Sequence, residues 1–73
     1  MSKLPVISGR DLVRALRNVG FELDRRKGSH MILFRAEPTT TLSVPDHREL
    51  DRGTLRALLR QAAVTAEELS RLL

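Results

Sequence analysis

The first apolar pattern along the chain is typical of an amphipathic helix. Its members recur at intervals of three or four residues: Leu12, Val13, Leu16 and Val19. Ser8 precedes the pattern and can cap a helix, and Asp11, three residues later, favours the positive helix end. Gly20 is placed to stop it. These signals predict a first helix over residues 9–19.

The pattern then changes to the alternation of strands. Phe21 and Leu23 alternate with polar residues, which predicts a half-buried first strand. Residues 31–34 are apolar at every position, so a second strand over residues 29–35 has apolar side chains on both faces. The two faces carry Ile32 with Phe34 and Met31 with Leu33.

A third strand and two further helices complete the pattern. Residues 36–39 form a turn, residues 41–44 a strand with Leu42 and Val44 facing inwards, and Pro45 ends that strand. A second helix begins near Gly53, and a capping-box pattern over residues 65–68 opens a short last helix. Their apolar residues are Leu55, Leu58, Leu59, Ala62, Leu69, Leu72 and Leu73.

The order of elements predicts an α+β fold in one domain, residues 1–73. Short connections make the three-stranded sheet antiparallel, and the helices should pack on one of its faces, in the order αβββα plus a short C-terminal helix. One apolar pair of the central strand then remains on the open face. We expect a protein partner or a self-contact there.

Composition and charge narrow the class of protein. A chain of 73 residues with 41% hydrophobic and 30% charged residues is typical of a small soluble domain. Its net charge of +4 favours an acidic partner, and residues 1–36 hold eight basic residues against three acidic ones. Without cysteine, a signal peptide or a long apolar run, the sequence predicts a cytoplasmic protein with no membrane association.

The sharpest chemical candidate is His30, at the start of the second strand. Gly28 permits a tight turn before it, and Ser29 can donate to a phosphate oxygen. Three basic residues precede the turn and supply positive charge for a phosphate: Arg25, Arg26 and Lys27. A histidine at a strand start is also often just a satisfied polar residue, and that alternative stays open.

Cleavage of RNA is the simplest use of such a histidine. The imidazole takes the proton of a 2′-hydroxyl, and this oxygen attacks the adjacent phosphorus. RNA itself supplies the nucleophile, so we expect no metal and no cofactor, and DNA should resist.

Two further groups of basic residues are either ordinary solvent-exposed residues or functional ones. His47 and Arg48 lie in the loop after the third strand and are candidates for RNA binding. His47 is a solvated residue, a second proton carrier or a backbone contact, and Arg48 is a weaker candidate for positioning phosphate. The spacing of His30 and His47 matches no standard metal site. On the first helix, Arg10, Arg14 and Arg17 form one stripe, which is a solvated face or a track for a nucleic-acid backbone.

Three segments together resemble one known family. They are Gly28-Ser29-His30, then Ser43-Val44-Pro45-Asp46-His47, then residues 50–62 with the Gly-Thr-Leu helix start. The sequence is similar here to the HicA (YcfA-like) toxins. The resemblance implies a fold like the double-stranded RNA-binding domain, cleavage of mRNA with His30 as the catalytic histidine, and inhibition by a HicB-type antitoxin that covers the site.

Two positions depart from the pattern of these toxins. Residues 35–39 replace a hairpin turn like Arg-His-Pro-Asp-Gly, and Ala63 stands where a glycine is often found after the second helix. The alternative function is a non-catalytic module of the same fold that binds RNA or the antitoxin.

Overall fold

A computed structural model describes residues 3–73, so Met1 and Ser2 of the predicted domain lie outside the described part. Its elements are α1 (Gly9–Arg17), β1 (Glu22–Lys27), β2 (His30–Ala36), β3 (Thr39–Pro45), α2 (Arg52–Ala62) and α3 (Ala66–Leu72). The predicted α+β fold is confirmed. Over residues 3–73, no helix has the length and apolar character needed to cross a membrane.

The strands form one antiparallel sheet in the order β1-β2-β3. Met31 pairs with Val44 and Leu33 with Leu42, so these four side chains share one face. They join the apolar residues of all three helices in a single core. The helices therefore cover one face of the sheet, as the sequence predicts.

The opposite face of the sheet carries Ile32 and Phe34. Phe34 is 42% exposed, whereas Ile32, between Arg25 on β1 and Ser43 on β3, is buried. The expected apolar pair on the open face is thus reduced to Phe34, because Ile32, in the middle of the sheet, is already buried. A partner for this face stays a prediction.

The prediction of a half-buried first strand is wrong. All six residues of β1 are exposed, and the buried Phe21 precedes the strand. The physical reason is that β1 is an edge strand packed mainly against α1, whereas β3, the other edge strand, packs against both α1 and α2. Leu23 faces the helices opposite Leu33 but remains 45% exposed.

Helix ends follow the local signals closely. Ser8 and Thr65 each form a complete capping box, and Asp51 caps α2 by accepting from two backbone N–H groups. The first helix ends at Arg17, two residues before its predicted end, and the chain turns through residues 18–20. Ala63 adopts the left-handed conformation (φ 59°), which costs a non-glycine residue roughly 1–2 kcal/mol.

Residues 35–39, where the sequence departs from the hairpin turn of the toxins it resembles, lie at the end of the sheet opposite His30. Arg35 is five residues after that histidine on β2, a distance of roughly 17 Å. Arg35 lies over the Phe21 ring, 4.4 Å from its centroid, and donates to the carbonyl oxygens of Val19 and Ala62. This segment therefore closes the far end of the core.

Candidate functional site at the hairpin end of the sheet

His30 is the first residue of β2 and is exposed at the rim of the sheet. A two-residue turn of Gly28 and Ser29 precedes it, and Gly28 has a φ of +60°, which glycine adopts without a Cβ penalty. In the register of the sheet, His30 pairs with Lys27 on one side and with Pro45 on the other. The structure thus places the imidazole at the edge of the open face.

The register also decides which basic side chains share a face with His30. Lys27 pairs with His30 and Arg25 pairs with Ile32, so both lie on the helix-free face. Arg26 pairs with Met31, which points into the core, so Arg26 lies on the helix side. The sequence predicts that the three basic residues form one phosphate-binding group. In the structure, Arg25 and Lys27 lie on the open face and Arg26 lies on the helix side.

Strand alternation separates Arg26 from Arg25 and Lys27, and a bulge in β1 decides which of them share the face of His30. The pairing moves from Leu23 opposite Leu33 to Arg25 opposite Ile32, so Asp24 has no partner of its own. Strict alternation would put Leu23 and Arg25 on the same face. The extra residue moves Arg25 to the open face, and nothing in the apolar pattern indicates it.

Asp46 organises the helix side of the site. Its carboxylate accepts from Arg26 Nη2 at 2.5 Å and from Arg10 Nε at 3.1 Å, and its side chain is only 13% exposed. The hydrogen bond from Arg26, followed by that from Arg10, holds the pKa of the Asp46 carboxyl below its ordinary value. Sequence reasoning missed this cluster, since its members are far apart in the chain.

Backbone hydrogen bonds join three segments at this end of the sheet. The Asp46 N–H donates to the carbonyl oxygen of Ser29 at 2.8 Å, and the Gly9 N–H donates to that of His47 at 2.9 Å. The turn before β2, the loop after β3 and the start of α1 are therefore held together. His30 and His47 lie at the same end of the sheet as a result.

His47 and Arg48 are both exposed in the loop after β3. With Ser8, Arg10 and Asp46 they line a shallow depression. The carbonyl oxygen of His47 accepts from the Gly9 N–H, while its imidazole is exposed, so the proposed roles of that imidazole toward RNA stay predictions. Across residues 3–73, no three histidine, aspartate or glutamate side chains are grouped as ligands for one metal ion.

The Asp46 cluster predicts a loss of stability in acid. A carboxyl whose pKa is lowered by folding stabilises the protein above its unfolded pKa, near 3.9, and this contribution disappears as the pH falls through the folded value. We expect Asp46→Asn to have a lower urea midpoint than the wild type at pH 7. Between pH 5 and about pH 2 the midpoint of the variant should fall less steeply than that of the wild type.

Asp24→Asn is the matched control for the loss of one carboxylate, because Asp24 is exposed on β1. Some acid sensitivity should persist in Asp46→Asn, since hydrogen bonds from Ser8 also lower the pKa of Asp11. Midpoints of Asp46→Asn that fall in parallel with the wild type would contradict the prediction.

Comparison with known families gives one match. A family model described as the HicA toxin of bacterial toxin-antitoxin matches residues 9–64 of the 73-residue chain. The matched segment begins with α1, includes the whole sheet and ends just beyond α2. It therefore contains His30, Asp46 and His47. A comparison with curated protein sequences gave no match.

Proposed function

Because the chain belongs to the HicA toxin family of bacterial toxin–antitoxin systems, we propose that it is an endoribonuclease that cleaves mRNA in the cytoplasm. His30 is its general base and acid. One observation carries the proposal: His30 is exposed on the helix-free face, with Lys27 beside it in the register and Arg25 further along the same face. A proton carrier and cations for a phosphate thus share one open surface.

The proposed reaction needs only the RNA and the side chains of this surface. His30 removes the proton of a 2′-hydroxyl, and that oxygen bonds to the adjacent phosphorus. The bond from phosphorus to the 5′ oxygen breaks, and this oxygen takes a proton from the imidazolium or from water. The products carry a 2′,3′-cyclic phosphate and a 5′-hydroxyl. Positioned acid–base catalysis typically contributes about 10²–10⁴-fold.

The neighbours of His30 have different roles in this scheme. Lys27 and Arg25 stabilise the negative charge that develops at the phosphate, and the exposed Ser29 hydroxyl donates to a phosphate oxygen. Gly28 sets the turn. Arg26 acts differently, because its guanidinium holds Asp46 and fixes the loop that carries His47 and Arg48.

The toxin's partner is proposed to be a HicB-type antitoxin that covers the open face. Phe34 is the exposed aromatic residue of that face, and it lies on the same strand and the same side as His30. An apolar anchor beside a basic rim suits a protein that presents both apolar and acidic side chains. Such a protein would block access of RNA to His30.

The proposal is tested with a labelled single-stranded RNA in EDTA. We expect fragments that end in a cyclic phosphate and a 5′-hydroxyl, and no cleavage of the matched DNA. An RNA with one 2′-deoxy nucleotide at the cleaved position should resist at that position alone. RNA that is bound but stays intact would overturn the proposal and favour a non-catalytic binding module.

A further inference from the structure

A groove lined by arginines runs between α1 and the edge strand β1. Its walls are formed by Arg10, Arg14 and Arg17 from the helix and by Arg26 from the strand, and its floor includes Val13 and Met31. The helical stripe of arginines therefore does not simply face solvent, because β1 supplies a second wall with a fourth guanidinium.

The groove carries an excess of positive charge. Arg10 and Arg26 share the carboxylate of Asp46, and Arg14 pairs with Asp11. Arg17 forms no salt bridge within residues 3–73. Two carboxylates thus face four guanidinium groups. The side chains of Arg10 and Arg14 are 68% and 67% exposed, so an anion reaches them without displacing packed atoms.

One end of the groove adjoins the sheet end that carries His30, on the helix side of the sheet. Arg26 and Asp46 lie at its beginning, and the Asp46 N–H is bonded to Ser29, the residue before His30. At the other end Arg17 reaches a depression that also contains Glu22, so the basic lining stops there. Basic side chains thus lie on both faces of β1, with Lys27 and Arg25 on the face of His30 and Arg26 in the groove.

The dimensions suit a short stretch of nucleic-acid backbone. Arg10 and Arg17 are seven residues apart on one helix face, a distance of about 10 Å. A stacked strand carries a phosphate roughly every 3.4 Å along its axis, so the groove spans about three phosphates. Arginine forks bind phosphate oxygens in pairs, and three of them along α1, faced by Arg26 on β1, match a repeating anion.

We propose that this groove binds the phosphate backbone of single-stranded RNA, next to the segment cleaved at His30. The inference rests on the proposed ribonuclease function and extends it. The RNA passes from the open face, around the edge strand, into the groove between β1 and α1. Its affinity for the toxin then depends on the length of the RNA as well as on its contacts with His30.

The test compares two double variants that remove the same charge. Arg14→Gln/Arg17→Gln changes the groove, and Arg56→Gln/Arg60→Gln changes two exposed arginines of α2. Binding of a labelled twelve-nucleotide RNA is measured against salt, with His30→Ala present in each protein to prevent cleavage. Each lost phosphate contact on a single strand lowers the salt slope by about 0.7, so the groove variant should lose about 1.4.

At low salt the groove variant should also bind the RNA at least about tenfold more weakly, while the α2 variant stays near the parent. With His30 restored, cleavage of a trinucleotide should be unchanged in the groove variant, and KM for the longer RNA should rise. Equal losses in both double variants, or no loss in either, would overturn the inference. The inference would also be overturned if the groove variant bound RNA normally but no longer bound an acidic polypeptide such as polyglutamate.

The outcome separates this inference from the ribonuclease proposal. If the wild type leaves RNA intact but the groove variant still loses affinity and salt slope, the ribonuclease proposal fails and the groove remains an RNA site. If the wild type cleaves RNA and the groove variant binds it normally, the ribonuclease proposal stands and the groove is not an RNA site.

Discussion

Replacing His30 with alanine is expected to reduce RNA cleavage at least about 100-fold, since the loss of a positioned acid–base group typically costs 10²–10⁴-fold. The fold should survive, because the side chain is exposed at the rim and is not part of the core. We expect the free energy of unfolding of the variant, measured in urea, to stay within about 0.5 kcal/mol of the wild type, as for ordinary surface substitutions.

The comparison of variants makes this result specific. His30→Gln keeps a polar side chain but cannot carry a proton near neutral pH, so it should be as inactive as His30→Ala. RNA binding by both variants, measured in the same buffer, should remain close to the wild type. A large loss of stability in either variant would instead assign His30 a structural role.

His47→Ala separates the contributions of the two histidines. The backbone contact from Gly9 to His47 uses the carbonyl oxygen and survives the substitution. If His30 alone moves the proton, cleavage by His47→Ala should fall by less than about tenfold, well below the 10²–10⁴-fold expected for an acid–base group. A loss as large as that of His30→Ala would make His47 the second proton carrier.

The second large effect is expected for Gly9→Ala, at the start of α1. Gly9 is buried, and an added Cβ would lie 2.0 Å from the carbonyl oxygen of Pro45 and 3.1 Å from its carbonyl carbon. Both are backbone atoms at the end of β3, which the pairing with His30 on β2 holds in place. Overpacking usually lowers the free energy of unfolding by about 1–3 kcal/mol. Because the clash is between the backbone of α1 and the backbone of β3, neither of which adjusts easily, we expect a loss of about 3 kcal/mol.

Relief of this clash should also disturb the site. If α1 moves away from β3, the hydrogen bond from Gly9 to His47 and the ion pair of Arg10 with Asp46 both lengthen. Urea unfolding measures the stability, and cleavage below the transition measures the site. The matched control is Gly53→Ala in the first turn of α2.

At Gly53 the nearest atom to an added Cβ is a carboxylate oxygen of Asp51, at 3.1 Å, which is part of a side chain and can adjust. The same substitution there should change stability by less than about 1 kcal/mol, since alanine also favours helix. A Gly9→Ala protein as stable as the control would show that the start of α1 is not fixed against β3.

Local patterns determined most of the fold from the sequence. The apolar repeat of α1, the alternation in β3 and the two capping boxes each involve residues within a few positions of one another. Their geometry follows from helix and strand periods, so the elements and the buried positions Leu42 and Val44 were predictable. His30 could be found for the same reason, because a glycine turn places it at a strand start.

Tertiary structure decided how the site is assembled. Asp46 pairs with Arg26 across 20 positions and with Arg10 across 36, and no spacing rule connects residues so distant in the chain. The bulge at Asp24 puts Arg25 and Lys27 on the open face and Arg26 on the helix side, the reverse of what strict alternation from Leu23 would give. The close contact of Gly9 with Pro45 likewise exists only after α1 packs against the sheet. The sequence by itself determined the elements and the candidate histidine, whereas the faces and partners of its charged neighbours depend on contacts that form when distant segments pack together.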